Sequence, residues 1–95
     1  MKDKVRTIWK FTLRVADFQT VSMPPDSRVL TAQVQREEIS IWALVDPNNA
    51  QRIDYPIWVH GTGHPVTEAA QGRYVASVQL AGGALVFHVF VGLEA

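Results

Sequence analysis

The chain has 95 residues, 47% of them apolar, and its nine basic and nine acidic side chains cancel. That length and composition predict one folded domain spanning 1–95, since disorder needs low hydrophobicity and high net charge. The balanced charge argues against an extended nucleic-acid surface, the lack of cysteine rules out disulfides and thiolate metal sites, and no apolar run reaches the roughly 18 residues of a membrane span.

Period-2 patterning dominates from the start. Trp9, Phe11, Leu13 and Val15 alternate with Ile8, Lys10, Thr12 and Arg14, as in a half-buried strand. A second run, Phe18 to Met23, ends at the turn-forming Pro24-Pro25-Asp26-Ser27. Arg28 to Gln35 and Glu38 to Asp46 read as strands joined at Arg36-Glu37, and Asp46-Pro47-Asn48-Asn49 is the next turn. Arg52 to His60 is strand-like, but Pro56 marks it as an edge strand or a bulge. Gly61 to Gly72 reads as a loop, with at most one helical turn over Thr67 to Gln71. Tyr74 to Leu80 and Ala84 to Gly92 are strands about Gly82-Gly83, where a primed turn needs positive φ. About seven short strands with turns between them predict an all-β fold, a single antiparallel sandwich or partly open barrel.

Hairpin arithmetic then sorts the side chains. A Gly82-Gly83 turn pairs Leu80 with Leu85, Val78 with Phe87, Ala76 with Val89 and Tyr74 with Val91 on one apolar face. The other face pairs Gln79 with Val86, Ser77 with His88 and Val75 with Phe90. The Arg36-Glu37 hairpin pairs Val34 with Ile39, Ala32 with Ile41 and Leu30 with Ala43, and behind them Gln33 with Ser40, Thr31 with Trp42 and Val29 with Leu44. On the fifth strand Asp54, Trp58 and His60 turn away from the core. The faces away from the core thus collect Trp42, Trp58, His60 and His88, more ring surface than solvation requires.

The densest chemistry lies in Trp58-Val59-His60-Gly61-Thr62-Gly63-His64-Pro65, which leaves a strand for a loop, where functional groups concentrate. His60, His64 and His88 invite a zinc site, but their spacing puts no two of them on one helical face, and no metal is expected. His60-Gly61-Thr62 has the form of one half of a two-histidine phosphoesterase; the second half, which would supply the partner acid or base, is missing. Gly61-Thr62-Gly63 can present backbone N–H groups to an anion, yet it lacks the Gly-Lys-Ser/Thr continuation of a phosphate loop. Ser77 and His88 read most simply as a cross-strand hydrogen-bonded pair. Rings for stacking, hydroxyls for hydrogen bonds and arginines for phosphate are the vocabulary of nucleotide-like ligands. They equally describe a protein interface, where tryptophan and arginine are enriched.

Five segments carry a family resemblance: Ile8-Trp9-Lys10-Phe11, Leu30 to Gln35, Ile41 to Pro47, Gly61 to Val66 and Gly82 to Phe90. With them the chain resembles a family of short, functionally uncharacterised proteins found mainly in bacteriophage and prophage genomes. The segment Asn49 to Arg52 is shorter than the acidic, proline-containing insertion of that family. The resemblance implies a phage-encoded accessory protein expressed in the host bacterial cytoplasm, and it transfers no catalytic residue.

By analogy with phage accessory proteins that counter bacterial defence, the expected function is non-enzymatic sequestration of a small anionic nucleotide-like signal. The expected ligand-binding residues are Trp42, Trp58, His60, Thr62, Gly63, His64, Arg28 and Arg52, with no cofactor. The alternatives are a protein-interaction module acting on a host or virion protein, and a phosphoesterase using His60 and His64. A domain this small has too little interior for Trp42, Trp58 and Phe90 together, so a homo-oligomer is expected as well.

Overall fold

The computed structural model describes residues 5–66 and 72–94. Seven strands form two antiparallel sheets: β1 (Thr7–Thr12), β2 (Phe18–Met23), β3 (Arg28–Gln35), β4 (Glu38–Val45), β5 (Ile53–Gly61), β6 (Arg73–Leu80) and β7 (Leu85–Val91). The smaller sheet runs β1-β4-β3 and the larger β2-β5-β7-β6. The all-β expectation holds, as a sandwich whose sheets do not close into a barrel. The possible helical turn over Thr67 to Gln71 lies outside the described residues.

Alternation builds the core. Ile39, Ile41, Ala43 and Val45 point inward from β4, and Tyr55, Ile57 and Val59 point inward from β5. Val21 and Met23 of β2, Val29 and Ala32 of β3, and Val78, Val89 and Val91 of the last hairpin complete one cluster, with Trp9 and Phe11 packed against it. Fully burying a side chain of this size contributes roughly 1.5–3 kcal/mol, so the shared core holds the two sheets together.

Both hairpin turns use positive φ at their two central residues, the condition for a primed turn that matches strand twist. Ala81, Gly82 and Gly83 sit at φ 52°, 64° and 95°, and the Ala84 N–H donates to the Ala81 carbonyl at 3.2 Å, so the connection between Leu80 and Leu85 is the whole stretch from Ala81 to Ala84 and not Gly82-Gly83 alone. Arg36 and Glu37 adopt φ 53° and 65° with no glycine to relieve the strain, and keep the expected register from Gln35–Glu38 to Thr31–Trp42.

Beyond those stretches the register departs from simple arithmetic. A bulge at Leu30 re-pairs Val29 with Ala43 and Arg28 with Leu44, which buries Val29 and leaves Leu30 43% exposed. A second bulge at Val75 pairs Tyr74 with Phe90 and Arg73 with Val91, where unbroken pairing would give Tyr74–Val91. An inserted residue reverses which face every residue beyond it occupies. Tyr74 is therefore carried to the outer surface.

Pro56 also departs from expectation, because β5 is an interior strand. Its ladder with β7 begins one residue later, at Ile57–Val91, and the Pro56 carbonyl accepts from Gly92 N–H at 3.0 Å. The absent proline N–H therefore costs a single bond at the very end of the ladder.

The β3 and β6 edges are tied by charge. The Arg73 guanidinium meets the Glu94 carboxylate at 2.6 Å and donates to the Val29 carbonyl at 2.6 Å. Glu94 in turn accepts from Val29 N–H at 2.6 Å. Both backbone groups that Val29 turns to the free side of its strand are thereby satisfied.

Candidate functional site

The outer face of the four-stranded sheet gathers residues from every one of its strands. Phe18 of β2 pairs with Trp58 of β5, Trp58 with Phe90 of β7, and Phe90 with Tyr74 of β6. One aromatic residue per strand thus forms a row across the sheet. Phe18 and Trp58 lie 5.7 Å apart and tilted, and Tyr74 and Phe90 meet edge to face at 5.6 Å. Phe18 and Tyr74, at the ends of the row, are about half exposed. Gly72 and Gly92 make room for the indole: a Cβ at either would lie 3.0 or 3.2 Å from Trp58 ring carbons. Trp58 is therefore partly a structural residue, half-buried over two glycines.

The next row is polar. His60 pairs with His88, and His88 with Ser77. Ser77 Oγ lies 2.7 Å from His88 Nδ1, Thr62 Oγ1 lies 2.8 Å from His88 Nε2, and Tyr74 OH lies 2.7 Å from Ser77 Oγ. A neutral imidazole has one donor and one acceptor nitrogen, so in that form one of the two flanking hydroxyls donates to His88 and the other accepts from it. His60 is different: it is 93% buried, and neither ring nitrogen has a hydrogen-bond partner among the described residues. The Asp17 carboxylate lies 3.7 Å from Nδ1.

At the end of β5 the chain turns over Gly61 to His64, closed by the His64 N–H donating to the Gly61 carbonyl at 3.0 Å. Gly63 sits at φ 90°, and the His64 ring lies over Gly61, where a Cβ would come within 3.2 Å of it. Thr62 N–H continues the contact with β7 by donating to the Val86 carbonyl at 3.1 Å. Between this turn and β7 lies a cleft of about 300 Å³, lined by Gly61, Thr62, His64 and the stretch from Ala84 to Phe87.

The structure therefore brings Trp58, His60, Thr62, Gly63 and His64 to one region, leaves Trp42 and Arg52 away from it, and sets Arg28 on a cleft that adjoins the Trp58 indole. Trp42 stands between Lys10 and Thr31 on the outer face of the three-stranded sheet, on the opposite side of the shared core. Arg28 borders a second cleft of about 330 Å³ beside the Arg73–Glu94 pair, and Gly72 and Gly92 under the Trp58 indole line the same cleft. Arg52 lies 5.6 Å over the Trp9 ring and donates to the Asn49 and Gln51 carbonyls. One small ligand cannot span both outer faces. Among the described residues, the clusters of histidine and carboxylate do not form a metal-ligand set.

The sequence does not place Phe18, Tyr74 and Asp17 at this site, whereas hairpin arithmetic puts Phe90 on the outer face without counting it among the binding residues. Phe18 and Asp17 require the β2–β5 pairing, which joins segments far apart in the chain. Tyr74 requires the bulge at Val75, without which it falls on the core side.

No curated protein and no solved structure matches the chain. A family model described as a domain of unknown function, DUF7352, matches residues 4–95, and the chain belongs to that family.

Proposed function

We propose that the protein is a non-enzymatic binder whose recognition surface is the outer face of the four-stranded sheet and the adjoining Gly61–His64 turn. The single observation that carries this reading is the pair of rows across one face: Phe18, Trp58, Phe90 and Tyr74, beside the hydroxyl–imidazole chain through Thr62, His88 and Ser77. Aromatic side chains offer stacking surface to planar rings, at about 1–3 kcal/mol per base, and the polar row supplies donors and acceptors for a ring edge.

The ligand class this favours is a nucleobase-like heterocycle. Arg52 lies elsewhere, whereas Arg28 lines the cleft that includes Gly72 and Gly92 under the Trp58 indole, so stacking supplies the base recognition and Arg28 is the arginine placed near it. A phage-encoded accessory protein that sequesters a nucleotide-like defence signal in the host cytoplasm fits such a surface. One feature favours binding over phosphoester hydrolysis by His60 and His64: the His60 nitrogens are shielded from solvent.

A thermal-shift and calorimetry series with nucleosides, cyclic nucleotides and ADP-ribose isomers tests the reading. A ligand at a hundredfold excess over Kd raises stability by about 2.7 kcal/mol. Stabilisation without turnover that is lost in Trp58→Ala supports the proposal. Turnover would shift it to the phosphoesterase reading, and no response to any of these compounds to a protein-interaction module.

A further inference from the structure

We propose that β2 is a self-pairing edge through which two copies of this chain join antiparallel, with the two-fold axis at Thr20. The sandwich has four edge strands, β1 and β3 in one sheet and β2 and β6 in the other. Exposed edges invite pairing unless bulges, charges or covering groups blunt them. Three of the four are blunted. β3 and β6 each carry a bulge, at Leu30 and Val75, and the Arg73–Glu94 pair occupies the free backbone groups of Val29.

β1 is guarded by charge. Leu13 N–H donates to the Ile39 carbonyl, so by alternation Ile8, Lys10 and Thr12 turn their backbone groups outward from β4. A symmetric pairing that used all three would be centred on Lys10 and set two ammonium groups opposite each other, which is destabilising.

β2 has none of these defences. Its sequence, Phe-Gln-Thr-Val-Ser-Met, contains no charge and no proline, and its ladder with β5 runs without a bulge. The Asp17 carbonyl accepts from Val59 N–H, so Phe18, Thr20 and Ser22 turn their N–H and C=O groups away from β5. Among the described residues nothing pairs with those groups.

The three outward positions are symmetric about Thr20. One antiparallel register therefore satisfies all of them: Thr20 opposite Thr20 of the second copy, and Phe18 opposite its Ser22. Opposed residues in this register come from the same face, so the two four-stranded sheets become one continuous sheet with both aromatic rows on one side. The half-exposed Phe18 ring gains a neighbour at the junction, and a chain of zero net charge offers no long-range repulsion to the approach. A second copy is the occupant because self-pairing here opposes only uncharged residues, Thr20 with Thr20 and Phe18 with Ser22, with no clash of like charges. The inference does not depend on the proposed ligand.

Single cysteines test it, because the natural chain has none. In the proposed register the Thr20 Cα atoms lie about 5.5 Å apart, inside the range a disulfide bridges. The two Ser22 Cα atoms are offset by four residues, roughly 13 Å, which is out of reach. Under mild oxidation Thr20→Cys is expected to form a covalent dimer at least tenfold faster than Ser22→Cys. Light scattering at micromolar concentration is expected to give a dimer for the native chain, and a monomer with unchanged far-UV circular dichroism for Thr20→Lys. A monomeric native chain, a folded Thr20→Lys that stays dimeric, or Ser22→Cys linking as fast as Thr20→Cys would each overturn the proposal.

Discussion

The two outer faces of the sandwich are different surfaces. The three-stranded sheet shows an isolated Trp42 flanked by Lys10 and Thr31, and behind it a buried Ser40 hydroxyl without a partner among the described residues. The four-stranded sheet aligns four aromatic residues in one row and satisfies His88 at both nitrogens in the next. Composition supplies the rings, Trp42 alone on the outer face of the smaller sheet against Phe18, Trp58, Phe90 and Tyr74 on that of the larger, and register aligns them, because a face becomes a recognition surface only when neighbouring strands present matching residues at the same level.

The largest expected effect breaks the register of the better-organised face. Gly83 sits at φ 95°, where a β-branched residue is strained, and a Cβ there would lie 3.2 Å from Gln79 Oε1. Gly83→Val should cost about 2–3 kcal/mol, measured as a lowered urea midpoint, and should also weaken any ligand bound on the Tyr74–Phe90 side. An unchanged midpoint would mean that this turn does not fix the hairpin.

A comparison of two tryptophans comes next. Losing a stacking platform is worth about 1–3 kcal/mol. Trp58→Ala should therefore weaken binding of a nucleobase-like ligand five- to hundredfold, while Trp42→Ala leaves it unchanged in the same calorimetric titration. Equal losses from both would mean that the opposite faces are not distinguished by function. Because Trp58 covers Gly72 and Gly92, its variant should also melt a few degrees lower.

Two smaller changes should improve the other sheet. Replacing Arg36-Glu37 with Asn-Gly gives residues suited to positive φ at both positions, and should stabilise by roughly 1 kcal/mol. Ser40→Ala removes an unpartnered buried hydroxyl and should stabilise by about 0.5–1 kcal/mol. Ser77→Ala, on the other face, breaks two hydrogen bonds and should be neutral or mildly destabilising. Chemical denaturation of the three variants side by side tests the signs, and a stabilised Ser77→Ala would contradict the hydroxyl chain.

Much of the fold is legible in the chain itself. Alternation at Trp9 to Leu13 and Ile39 to Val45, together with the glycines at positions 82 and 83, sets the strands, the last turn and the pairing from Leu80–Leu85 to Ala76–Val89. These are local matters, decided by side-chain period and by φ at a few residues. The separation of Trp42 from Trp58, the removal of Arg52 from the candidate site, and the arrival of Phe18 beside Trp58 all depend on which strands become neighbours. Two single-residue bulges decide the rest. At Leu30 and Val75 one inserted residue reverses the faces beyond it, so that Val29 enters the core and Tyr74 leaves it. The period of a strand is written in its own residues, whereas the order of strands and the placing of bulges follow from how two sheets bury one core between them.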